Sequence, residues 1–148
     1  PYTKKYFEEL ITTGKISEIR PSDIRYKERE DFSEAAVGKE MESFPNKGFE
    51  LIKGKAKFEG EILGGCIEKM IRALKEYGIF DVISGLLVGK PQDDTYYDEY
   101  KDILLEELSS SDLSIVYNIN SGHSTPRCII PFGVRATVDT KEQVIRFY

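Results

Sequence analysis

The chain has one histidine, His123, within NINSGHSTPRCIIPFG (residues 118–133). The glycine before it permits a sharp backbone turn. Pro126 pushes Thr125 towards extended geometry, so the segment after the histidine resists helix. A strand followed by such a turn projects an imidazole from the rigid end of a sheet, as a general base requires. The same local sequence also suits a solvated loop histidine. Catalysis would need a nucleophile within hydrogen-bond reach and a group orienting the other ring nitrogen. Ser121, Ser124 and Cys128 are close in sequence, but no GxSxG elbow occurs. Cys128 lies in an apolar run with Ile129 and Ile130, which suits core packing better than nucleophilic attack.

A second candidate is the glycine pair Gly64–Gly65 in EILGGCIE, placed between an expected strand and an expected helix. Backbone N–H groups there can hold an anion or carboxylate; the plainer reading is a tight strand-to-helix turn. The pair is neither a Walker loop nor a GxGxxG fingerprint. Carboxylate runs such as QDDTYYDEY read as solvated helix faces, and Tyr96, Tyr97 and Tyr100 as helix packing. No cluster has metal-ligand spacing, so no metal and no cofactor is expected.

The elements that must position these residues follow from periodicity. Thr3 is placed to cap a helix with Phe7, Leu10 and Ile11 on one face, and Gly14 to end it. KISEIRP reads as a short strand, and residues 22–47 as extended surface structure and loop. GFELIKGKAKFEGEILGG alternates as strands joined by a turn at Gly54. CIEKMIRALKEYG is a helix with Ile67, Met70, Ile71 and Leu74 in one stripe, ended by Gly78. GLLVG and LSIVYNI read as buried strands, the first covered on both faces. Between them DDTYYDEYKDILLEEL forms a helix with an acidic first turn that complements the helix dipole. VRATVDTKEQVIRFY closes the chain as a hairpin. The expected class is α/β, with a mixed β-sheet or partial β-barrel and about three helices.

The 148 residues suit a single domain, spanning 1–148, with a substantial core. A net charge of −5 with both signs interspersed lacks the basic face of a nucleic-acid binder. No apolar run approaches the ~20 residues of a membrane span. Two cysteines build no disulfide framework, so a reducing, cytoplasmic setting is expected. The opening PYTKKYFEEL has neither initiator methionine nor signal-peptide core, as in a processed or truncated product.

Three stretches together carry a family resemblance: GEILGGCIE, KMIRALKEYGIFDVISGLLVGKP and NINSGHSTPRCIIPFGVRATVDT. The chain resembles the C-terminal domain of the LD-carboxypeptidases and the related microcin-immunity serine peptidases, most closely the microcin-immunity branch. The last stretch is the most specific, with glycine–histidine, a proline turn, PFG and an A-x-V-D strand in order.

The resemblance implies a swivelling β/β/α type domain from a two-domain bacterial hydrolase with a Ser-His-Glu triad. His123 takes the place of its base, and Gly64 and Gly65 match a glycine pair bordering the substrate cleft. The implied partners are an N-terminal serine domain and a small substrate, a peptidoglycan stem peptide or a peptidyl-nucleotide antibiotic. Two departures accompany the match. No serine domain lies within the 148 residues, and a segment carrying the triad glutamate is expected at the 68/69 junction, where Glu68 runs directly into Lys69. The role is therefore not assigned to Glu68 or Glu61, and the chain alone is expected to be inactive. The alternative is a stand-alone binding or oligomerisation module, whose uncovered apolar faces would recruit a second copy as a homodimer.

Overall fold

The computed structural model describes residues 1–27, 29, 31–64, 71–91 and 95–148. Helix α1 (Tyr2–Thr13) leads to the short strands β1 (Glu18–Ile19), β2 (Ile24–Tyr26) and β3 (Ser43–Pro45). Then come β4 (Glu50–Lys53), β5 (Lys57–Glu61), α2 (Ile71–Glu76), α3 (Ile79–Val82), β6 (Gly85–Gly89) and α4 (Tyr97–Glu107). Strands β7 (Ser114–Ile119), β8 (Arg135–Asp139) and β9 (Val144–Phe147) complete the chain. The architecture is mixed α/β, as expected, with four α-helices among the described residues rather than about three. The strands form open sheets, not a closed barrel: β1-β9-β8-β5, all antiparallel; the ribbon β2-β3; and β4-β7-β6, in which β6 runs parallel to β7.

Strand β7 is buried along its whole length and feeds two cores. Val116 and Ile119 join Tyr6, Ile19, Val138 and Ile145 on one side. Ile115 and Tyr117 join Phe80, Tyr97, Leu104 and Leu108 on the other. Strict alternation would place Ile119 with Ile115 and Tyr117. An extra residue intervenes: Leu87 pairs with Val116 but Gly89 pairs with Ile119, a bulge on β7. Asn118 carries the left-handed geometry of that bulge, at φ 68°, and the side-chain parity flips after it.

The glycine turn at Gly54 (φ 82°) occurs where the sequence places it. Its flanking strands do not pair with each other: β4 pairs with β7 and β5 with β8, so the turn carries the chain from one sheet to another. A Cβ on Gly54 would lie 2.6 Å from Ser114 Cα. Strand β6 sends Leu87 to the first core and Leu86 and Val88 to the second. Both faces of the strand are thus covered, as expected, although β6 lies at the margin of its sheet and is half-buried along its length.

Helix α1 departs from expectation in its buried face. Tyr2, Tyr6 and Leu10, four residues apart, face the first core, whereas Phe7 and Ile11 are exposed. The Tyr6 hydroxyl accepts the Arg20 N–H at 3.0 Å, which draws tyrosine inward at that position. Thr3 lies inside the helix, not at its cap, while Gly14 ends it with φ 74°. Of the tyrosines near α4, Tyr97 is buried, but Tyr96 and Tyr100 are exposed and meet edge-to-face at 6.4 Å. No helix among the described residues is long and apolar enough to cross a membrane.

Candidate functional site

His123 lies on the irregular segment that follows β7, and it is exposed. Asn120 holds this segment to the sheet. Although fully buried, its side chain is satisfied from both ends: Oδ1 accepts the Ser22 N–H at 3.0 Å and Nδ2 donates to Pro126 O at 3.2 Å. Its carbonyl accepts Cys128 N–H at 2.7 Å and the Cys128 thiol at 3.0 Å. The two ends of the turn are thus tied together beneath His123.

Further bonds fix the rim. Arg127 donates to the His123 carbonyl at 2.6 Å and to the Ser124 carbonyl at 3.2 Å, and its own N–H reaches Thr3 Oγ1 at 3.1 Å. Tyr26 N–H donates to Thr125 O at 3.0 Å. Gly122 supplies the positive φ (89°) just before the histidine, and the Thr125–Pro126 peptide is cis. On the neighbouring strand a Cβ at Gly89 would sit 2.7 Å from Ser121 O, so only glycine lets the turn lie against the end of β6. The turn is thus braced from within by Arg127 and from the body of the domain by Thr3 and Tyr26, and His123 itself is exposed.

Among the described residues no side chain hydrogen-bonds the His123 imidazole, and no orienting carboxylate is paired with it. Ser124 Oγ is buried with no partner among them. Cys128 behaves as the sequence suggests: burial pushes its thiol up to about 11, and it packs against the first core. A thiol in that state is a poor nucleophile at neutral pH. Cys66 lies outside the described residues, and among them no three His, Cys, Asp or Glu side chains gather as a metal site.

Of the glycine pair, Gly64 is exposed beside Phe132, and Gly65 falls outside the described residues, as do Glu68 and Lys69. Ile62 N–H donates to Val134 O at 2.9 Å and Gly133 N–H to Ile62 O at 2.8 Å. The chain at Ile62 therefore runs beside that at Gly133 and Val134. A Cβ on Gly64 would meet the Phe132 ring at 2.2 Å, so this glycine makes room for an aromatic ring.

Sequence reasoning missed two polar groups. One is the asparagine set: Asn118 Nδ2 donates to Asn46 Oδ1 at 3.1 Å and to Gly48 O at 2.6 Å, and Asn46 Nδ2 donates to Ser22 O at 2.8 Å. With Ser22–Asn120 this makes a continuous chain of hydrogen bonds from the β7 bulge to the histidine turn. Two asparagines closing the buried run SIVYNIN were the available signal. The other group joins Glu50 to the Tyr97 hydroxyl and, at 3.0 Å, to Lys101, which also meets Asp98 at 3.1 Å. Burial disfavours the Lys101 ammonium, but Glu50 and Asp98 outweigh it and hold the group above its ordinary pKa. The Tyr117 hydroxyl is raised by burial and by the Glu50 charge.

Fold and site together define a mixed α/β domain that presents one histidine on a braced turn at the end of a buried strand. Residues 65–138 match the family model of the LD-carboxypeptidase C-terminal domain. The chain belongs to that family. It is similar to an MccF-like protein from Streptococcus pneumoniae solved in complex with AMP, with 44% identity over 99% of this chain and 57% of that one, and a TM-score of 0.94. A variant of the microcin C7 self-immunity protein MccF, in complex with adenosine monophosphate, shares the fold at 16% identity and a TM-score of 0.77, covering 97% of this chain and 54% of that one. A Vibrio cholerae protein provisionally named as a carboxypeptidase is 29% identical over 79 residues, 49% of this chain and 23% of its own length. The chain thus spans little more than half the length of the solved relatives, and its match covers under a quarter of the curated one.

Proposed function

We propose that this chain is the histidine-bearing domain of a serine hydrolase that cleaves an amide in a small carboxylate-bearing peptide or peptidyl-nucleotide. His123 would take the proton from a serine hydroxyl as that oxygen attacks the amide carbonyl, and then deliver it to the leaving amine. The serine and the triad carboxylate come from a companion domain and from a segment expected at the 68/69 junction. Gly64 and Gly65 form part of the cleft wall, and the setting is cytoplasmic. The observation that carries this reading is the histidine turn: an exposed imidazole whose backbone is pinned at both ends by buried Asn120.

On its own the chain lacks the covalent route and does not turn substrate over. The test combines it with the part of the pneumococcal relative that it does not match and follows hydrolysis of an L,D-linked peptide and of an aminoacyl nucleotide. Hydrolysis by the mixture, absent from either part alone and lost with His123→Ala, is the expected result. Turnover by the isolated chain, or a mixture indifferent to His123→Ala, overturns the reading.

A further inference from the structure

Arg127 leaves the histidine turn with an unused edge of donors. Its own N–H donates to Thr3 Oγ1 at 3.1 Å, Pro126 O before it accepts Asn120 Nδ2 at 3.2 Å, and Cys128 N–H after it donates to Asn120 O at 2.7 Å. From that anchored backbone the side chain reaches back along the turn. Its Nε donates to Ser124 O at 3.2 Å and its Nη2 to His123 O at 2.6 Å. A guanidinium carries five N–H donors in one rigid plane. Nε and Nη2 make one fork of that plane, and the two carbonyls fill it. The second fork, between Nη1 and the outer N–H of Nη2, has no partner among the described residues, and Arg127 is exposed.

Charge sets this arginine apart as well. Arg20, Arg72, Arg135 and Arg146 each pair with a carboxylate of the chain. Arg127 meets only carbonyls, which hold the plane without neutralising it, and no carboxylate pairs with it among the described residues. A cation already fixed in one orientation loses little further freedom when a ligand arrives. Its free fork offers two parallel N–H groups, the geometry that the two coplanar oxygens of a carboxylate accept. Because Nη2 is bonded to the carbonyl of His123 itself, a carboxylate seated there and the imidazole lie within the span of one small peptide. We propose, resting on the hydrolase reading for the identity of the ligand, that Arg127 binds the carboxylate of the substrate and sets specificity for acids over their amides.

Titration of the 148-residue chain, followed by ¹H–¹⁵N spectra of the arginine Nε–H groups, tests the binding. N-acetylalanine is the probe, N-acetylalaninamide its uncharged analogue and inorganic phosphate a tetrahedral anion. The expected result is a saturable shift of the Arg127 Nε–H signal by the acid, with the amide about tenfold weaker or worse. Arg127→Lys keeps the charge, loses the fork and weakens the acid about three- to tenfold, while the backbone signals of β8 and β9 stay in place. No saturable shift at Arg127, an amide as tight as the acid, phosphate tighter than the acid, or indifference to Arg127→Lys overturns the proposal. In the mixture with the pneumococcal part, Arg127→Lys should raise KM about three- to tenfold for an L,D-linked peptide with a free carboxyl and leave it unchanged for the same peptide amidated. A loosened turn would instead lower kcat for both, and that result also overturns the proposal. Acid binding at Arg127 without hydrolysis by the mixture overturns the hydrolase reading and leaves the carboxylate site standing; hydrolysis with no shift at Arg127 does the reverse.

Discussion

Asn120 Oδ1 accepts the Ser22 N–H at 3.0 Å, a bond between residues 98 apart that ties the segment before β2 to the base of the histidine turn. The same side chain donates to Pro126 O. Asn120→Ala would leave a buried N–H and a carbonyl unpartnered, at about 1–3 kcal/mol each. The expected outcome is a lower urea midpoint, with amide exchange fastest at residues 121–128 while β8 and β9 stay protected. Uniformly faster exchange across the chain would show that Asn120 supports the core and not the turn in particular.

Lys53 reaches from β4 to the end of α4, where its ammonium donates to the carbonyls of Leu108, Ser109 at 3.1 Å and Ser111 at 2.6 Å. A cation at a helix C-terminus meets both the orphan carbonyls and the negative end of the dipole. Lys53→Met keeps the aliphatic stem and removes the three bonds. It should cost about 1–3 kcal/mol in denaturant unfolding, with fraying at residues 105–111 in amide exchange. A variant as stable as the parent would mean that water replaces the ammonium without loss.

Much of the frame was legible before the structure. The apolar run of β7, the acidic start of α4, the αL glycines at Gly14, Gly54 and Gly78 and the closing hairpin all follow from local pattern. The turn bearing His123 was legible too, because Gly122 permits a sharp turn before it and Pro126 restricts the backbone after it. What escaped was set by partners far along the chain. Nothing near Asn118 announces a bulge, so the placing of Ile119 with Val116 could not be foreseen. Tyr6 displaced Phe7 from the buried face of α1 through a bond to Arg20, fourteen residues away. Gly64 looked like a turn or anion site, yet the constraint upon it is Phe132, brought alongside by the pairing of Ile62 with Gly133 and Val134.

The glycines give a graded test of those constraints. At Gly54 a Cβ would strike the Ser114 backbone at 2.6 Å from a conformation with φ +82°, and neither atom can move aside. At Gly64 the obstacle is the ring of Phe132, which is 64% exposed and free to swing outward. Gly54→Ala should therefore cost upward of about 2 kcal/mol and Gly64→Ala well under about 1, by urea unfolding. A Phe132→Ala background should abolish the Gly64→Ala cost and leave that of Gly54→Ala unchanged. Equal costs at both sites would contradict this account.

Asp139 ends β8 and holds the turn into β9. Its Oδ1 accepts the Glu142 and Lys141 N–H groups at 3.0 Å each, and Lys57 stands 3.9 Å from its other oxygen. These bonds, the one from Glu142 foremost, hold its carboxyl below the ordinary range against the opposing effect of burial. A carboxylate whose pKa is lower folded than unfolded contributes stability above the unfolded value, about 3.9. That contribution fades as pH falls through the folded value, because the native state then takes up the proton as well. Asp139→Asn keeps the acceptor and the shape but removes the charge. The variant should unfold at lower urea than the parent at pH 7, by a margin that is steady down to about pH 5. The margin should then narrow at more acid pH and close once Asp139 is protonated in the folded parent. A margin unchanged into strong acid would show that the asparagine lacks something other than charge, and that the Asp139 carboxylate does not stabilise this turn electrostatically.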